Sequence, residues 1–103
     1  MTISQELTNS GVRMTLMGAL DSNAAPDFSI ALLSAVDEYD RVLLDFSGLT
    51  EIDDAGLRVL LSAQKKADVS SVELSVQSIP APVMDIFDAV GFTDILHFED
   101  TQA

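Results

Sequence analysis

The chain has 103 residues, 48% of them hydrophobic, with 17 acidic against 5 basic residues, a formal net charge of −12 and no cysteine. Such a length suits a single domain over residues 1–103, with a core large enough to hold without staples. The charge argues against nucleic acid and anionic membranes as partners, and the missing cysteines exclude a disulfide scaffold, a cysteine nucleophile and cysteine-ligated zinc.

Ile3, Gln5 and Leu7 alternate with polar residues, and so do Val12, Met14 and Leu16, the period of a strand. Asn9-Ser10-Gly11 carries turn chemistry, since Asn and Gly tolerate positive φ, so the two strands form an antiparallel hairpin, the second ending at Gly18. Ser22 and Asn23 offer side-chain oxygens as helix N-caps, and Pro26 suits a first turn. Phe28, Ala31, Leu32 and Ala35 recur at helical spacing, which predicts a helix to near Glu38. Arg41–Phe46 is an apolar run without clean alternation, as expected of a central strand covered on both faces and broken at Ser47 and Gly48.

Asp53 and Asp54 open the second helix, whose apolar spacing is Leu57, Leu60, Leu61 and Gln64. Arg58, Ser62, Lys65 and Lys66 fall toward solvent. Acid at the front and lysines at the back complement the helix dipole. Val72, Leu74 and Val76 alternate with Glu73 and Ser75, a further strand. Pro80 and Pro82 mark a third helix with Val83, Ile86, Phe87 and Val90 on its apolar face. Gly91 and Phe92 have the Schellman pattern of a helix end. Ile95, Leu96 and Phe98 suggest a short last strand. The order β-β-α-β-α-β-α-β predicts right-handed crossovers and a mixed α/β sheet. The expected core comprises Leu16, Phe28, Leu32, Leu44, Leu57, Leu60, Val76, Ile86 and Phe87.

His97 is the lone histidine, and no nucleophile–base pair or glycine-rich phosphate loop stands out, so no enzyme activity and no cofactor are expected. Asp45, Glu51, Asp53 and Asp54 could converge at one sheet edge, where carboxylates attract hard cations. The acidic pair, however, comes after the central strand rather than the first, which counts against a metal or phosphoryl-aspartate site. Capping explains one of Asp53 and Asp54; the second acid is an excess that points to a site. Ile30 and Leu33 lie away from the Phe28/Leu32 face and mark a contact with a partner or a second copy, a homodimer. The N-terminus has neither the basic start nor the apolar stretch of a signal peptide, and no run nears the ~20 apolar residues that span a bilayer, so a cytoplasmic location without membrane insertion is expected.

The stretch Leu43-Leu44-Asp45-Phe46-Ser47-Gly48-Leu49-Thr50-Glu51-Ile52-Asp53-Asp54-Ala55-Gly56-Leu57-Arg58-Val59-Leu60-Leu61 resembles the signature of STAS domains. These are the anti-sigma-factor antagonists and their relatives in sulfate transporters. The usual pattern is an apolar strand, a short loop, then I-D-S-[SA]-G-L and an apolar helix. Gly18-Ala19-Leu20-Asp21 is similar to the family's G-x-L-D, and Val90–Phe98 to its closing segment, so the likeness spans essentially the whole chain. The resemblance implies a mixed sheet with helices mainly on one face, and function by binding. In partner switching, the antagonist holds an anti-sigma factor, often itself a kinase, until phosphorylation of the serine after the motif Asp releases it. Asp53 matches the motif Asp, and Ala55, Gly56 and Leu57 match the [SA]-G-L at the end of the motif. Asp54 stands at the phosphoacceptor position without a hydroxyl.

The resemblance thus implies a partner surface of Asp53, Asp54, Ala55, Gly56, Leu57 and Arg58, joined by Asp21 and Ser22 and by the outer residues Ile30 and Leu33. Gly56 is expected to leave room for close approach by another chain. The expected partner is an anti-sigma factor or kinase-like ATP-binding protein. The alternative is an accessory subunit of a lipid-transporter ATPase.

Overall fold

The computed structural model describes residues 1–9 and 11–92, and the backbone of residues 97–98. Ser10 of the predicted turn, and Ile95 and Leu96 of the predicted last strand, lie outside the described residues. Strands β1 (Thr2–Leu7) and β2 (Val12–Leu20) form the hairpin, with Leu7 opposite Val12 and Thr2 opposite Met17. The Thr8 N–H closes it on the Gly11 carbonyl at 2.9 Å. Helix α1 (Ala25–Glu38) leads to β3 (Arg41–Ile52), α2 (Asp54–Ser70), β4 (Glu73–Gln77), α3 (Ala81–Val90) and β5 (His97–Phe98). The sheet order is β1-β2-β3-β4-β5, antiparallel at the first pair and parallel thereafter, as the βαβ alternation predicts.

One sheet face carries the core. Met14 and Leu16 of β2, Leu44 and Phe46 of β3, and Leu74 and Val76 of β4 are buried in one cluster with Phe28 and Leu32 of α1, Leu57 and Leu60 of α2, and Val83 and Phe87 of α3. All the predicted core residues are buried except Ile86, which is half-buried. Val90 is 49% exposed and does not share the α3 core face. On the opposite sheet face Arg13, Thr15, Leu43 and Asp45 are half-buried. The expectation that β3 is covered on both faces is therefore corrected. β3 alternates like a one-sided strand, and the apolar Leu43 on the polar side hides that period from the sequence.

β3 also continues through Ser47 and Gly48 to Ile52, and β2 continues past Gly18 to Leu20. Register shifts between Thr15 and Met17, and between Gly18 and Ala19, let the parallel pairing pass these points. Gly48 permits the close passage: a Cβ there would lie 2.8 Å from the Met17 side chain. The α1 start departs from the predicted Ser22 and Asn23 caps. Asp21 supplies the acceptor instead, its Oδ1 receiving the N–H groups of Asn23 at 3.0 Å and Ala24 at 3.1 Å. α2 runs on to Ser70, so the lysines sit inside it rather than at its end; Lys66 reaches Asp37 of α1 at 2.9 Å. α3 ends as predicted, on Gly91 at φ 81° with its N–H directed to the carbonyls of Phe87 and Asp88. Phe92 is buried behind it, its ring 5.9 Å from that of Phe87. Among the described residues, no helix is long and apolar enough to cross a membrane.

Candidate functional site

The parallel strands β2 and β3 end together, with Leu20 opposite Ile52, and both chains turn there into helices. Asp53 organises this corner. Its backbone N–H bonds the Leu20 carbonyl at 3.1 Å, and its extended backbone makes it the N-cap of α2. Oδ1 accepts from the Ala55 N–H at 3.0 Å and the Gly56 N–H at 3.2 Å, satisfying donors that a helix start leaves orphaned. Oδ2 accepts from the Ser22 N–H at 3.0 Å, which joins the β2–α1 loop to the start of α2. Both carboxylate oxygens are thus engaged within the chain.

Asp54 differs. It occupies the first turn of α2, is exposed, and its carboxylate makes no hydrogen bond among the described residues. Arg58 is exposed one turn later, at the spacing that places two residues on one helix face. Ser22 is exposed and Asp21 half-buried across the corner. Leu57 is turned into the core, and Ala55 is half-buried.

Gly56 is buried, and its environment corrects the expected opening for another chain. A Cβ there would lie 2.7 Å from Leu20 Cγ, 2.9 Å from Ile52 Cγ1 and 2.9 Å from the Leu20 carbonyl oxygen. The space is taken by this chain's own strand ends. Ile30 is 69% exposed on α1, whereas Leu33 is half-buried against the core, so the two do not form one outer patch. Three residues turn a helix by about 300°, which carries Leu33 round to the flank of the buried stripe.

Beside the corner lies an open cavity of about 350 Å³, lined by Met1, Ile3, Ala19, Asp21, Asn23, Ala24 and Asp27. Sequence reasoning missed it, because its walls come from β1, the end of β2 and the start of α1, which no local pattern connects. The acidic residues do not converge as the sequence suggested: among the described residues no group of three His, Asp or Glu side chains is placed to hold a metal ion. Asp45 lies on the polar sheet face. Partial burial there pushes its carboxyl up, but the Ser47 N–H and hydroxyl, the Gln77 amide and the Arg13 guanidinium together hold it below its ordinary value of 3.8.

The profile of the family described as "Mlab, STAS domain" matches residues 3–97. The chain belongs to the STAS domain family. This STAS chain is 33% identical over 81 residues to BtrV of Bordetella bronchiseptica, named as an anti-sigma factor antagonist; the match spans 78% of the chain and 70% of BtrV. Its fold is that of an anti-sigma factor antagonist from Mycobacterium paratuberculosis, at TM-score 0.87 and 18% identity over 97% of this chain and 86% of that one. The anti-sigma factor antagonist SpoIIAA in its unphosphorylated form superposes at TM-score 0.76 and 17% identity, over 98% of this chain and 90% of that one.

Proposed function

We propose that this STAS domain is a non-enzymatic, cytoplasmic regulator of the anti-sigma factor antagonist type, which binds an anti-sigma factor or kinase-like ATP-binding protein through the corner formed by the α2 start and the β2–α1 loop. The observation that carries the reading is the contrast between two adjacent acids. Asp53 is consumed in holding the corner together, while Asp54 presents a free carboxylate, and the motif resemblance aligns that position with the family's phosphoacceptor. Asp54 has no hydroxyl to phosphorylate, so the state of the surface is fixed by sequence and the output is set by abundance or by an upstream event. The contact residues are Asp54 and Arg58 with Ser22 and Asp21, and the net charge of −12 favours a partner with a basic face.

Co-purification and then titration test this. Recovery of an ATP-binding kinase-like protein supports the reading, and recovery of a transporter ATPase in its place replaces it. Against the recovered partner, Asp54→Ser and Asp54→Ala are compared with wild type. Tighter binding by both means that Asp54 imitates a phosphorylated residue. Weaker binding by both, by roughly 1.5–3 kcal/mol, means a dedicated charged contact. Unchanged affinity removes Asp54 from the site.

A further inference from the structure

The outer edge of the sheet is strand β1, and it lacks the usual protections of an edge. It has no proline, lysine or bulge, its register with β2 is unbroken from Thr2 to Leu7, and Leu7 is 71% exposed. The phase of its free backbone groups is set by the hairpin. The Thr8 N–H bonds the Gly11 carbonyl, and antiparallel strands alternate, so Thr2, Ser4 and Glu6 direct their N–H and C=O toward β2. Ile3, Gln5 and Leu7 therefore direct theirs outward.

We propose that β1 pairs antiparallel with β1 of a second copy, about a two-fold axis through Gln5 that joins two five-stranded sheets into one. That axis sets Gln5 against the second copy's Gln5, and Ile3 against the second copy's Leu7. All the outward groups then find partners, in about six hydrogen bonds. The same register covers Leu7 with Ile3 on the helix side of the sheet and sets Ser4 opposite Glu6 on the other side. An axis shifted by one residue, through Ser4, leaves two hydrogen-bonded residue pairs within β1 instead of three and sets Leu7 against the second copy's Met1, outside the strand. This coincidence of backbone phase and apolar pairing under one two-fold is what selects a second copy as the occupant. Glu6, the one charged residue of β1, is ion-paired with Arg13, so the two edges meet without a local repulsion. The overall net charge still opposes association, and salt screens it. A strand pair buries less than a standard interface, so the dimer is weak, with a Kd on the order of 0.1–1 mM in ~0.5 M salt.

Sedimentation of the full chain over a wide concentration range, with and without added salt, is expected to show a reversible dimer that strengthens with salt. Gln5→Pro removes an outward N–H while sparing the β1–β2 ladder, and should weaken the dimer at least tenfold with circular dichroism unchanged. Register is read by oxidation, since the chain has no cysteine of its own. Gln5→Cys brings two Cα atoms to about 5.5 Å and should cross-link. Ser4→Cys holds them beyond about 7 Å and should not. A monomer at every concentration, a dimer untouched by Gln5→Pro, or cross-linking through Ser4→Cys as readily as through Gln5→Cys would overturn the proposal. None of these readouts involves the partner-binding corner, so its failure and theirs are independent.

Discussion

Replacing Gly56 by alanine sets two effects against each other. Alanine in a helix is favoured over glycine by about 0.8–1.0 kcal/mol, so propensity alone predicts a more stable protein. The added Cβ, however, would sit 2.7 Å from Leu20 Cγ and 2.9 Å from Ile52 Cγ1, where carbon atoms settle at roughly 3.5–4.0 Å. Leu20 is fully buried and Ile52 nearly so, and neither has an open side to yield toward. The third neighbour, the Leu20 carbonyl oxygen at 2.9 Å, is the acceptor for the Asp53 N–H, so it cannot withdraw without loosening the α2 cap. Overpacking typically costs 1–3 kcal/mol, and the backbone contact places this case near the top of that range, about 3 kcal/mol. After the propensity gain, Gly56→Ala should lose about 2 kcal/mol, which at about 4–8 °C per kcal/mol lowers the melting temperature by roughly 8–16 °C. Urea unfolding monitored by circular dichroism gives the difference directly. A variant as stable as wild type, or more so, would refute the reasoning, since it would mean that the α2 start can move away from the strand ends without penalty.

Asp53→Ala removes an acceptor for three backbone N–H groups. It should cost about 1–2 kcal/mol, within the usual range for a lost N-cap, and speed hydrogen exchange at the Ser22 amide; an unchanged Ser22 rate would mean that the loop is held by something else. The folded state holds the Asp45 carboxyl below its ordinary 3.8, so its ionised form contributes stability that is present above that value and is lost as pH falls through the lower folded-state value. Wild type should therefore lose stability relative to Asp45→Asn on acidification from about pH 5 to about pH 2; parallel pH profiles for the two would show that the contacts to Ser47, Gln77 and Arg13 do not favour the charged form.

The order of elements was legible in the sequence because it rests on local periodicity: two for the hairpin and β4, three to four for the helices. The α3 ending was legible for a similar reason, since Gly91 at positive φ with a buried Phe92 after it is a local solution to a local problem. The acidic pair could likewise be placed at a helix start, and the signature around it named the family. What the pair does could not be read in full, because Asp53 takes its third donor from Ser22, far away in the chain, and that bond turns a local helix cap into the acid that holds the corner together. Tertiary structure alone decided which face of β3 is covered, whether Gly56 opens toward solvent or toward Leu20 and Ile52, and that Leu33 flanks the core while Ile30 does not. Each of these depends on what stands opposite a side chain across the fold. A residue's own sequence neighbours fix its direction along a helix or strand, but the surface that meets it comes from another element, brought there by the packing of the whole chain.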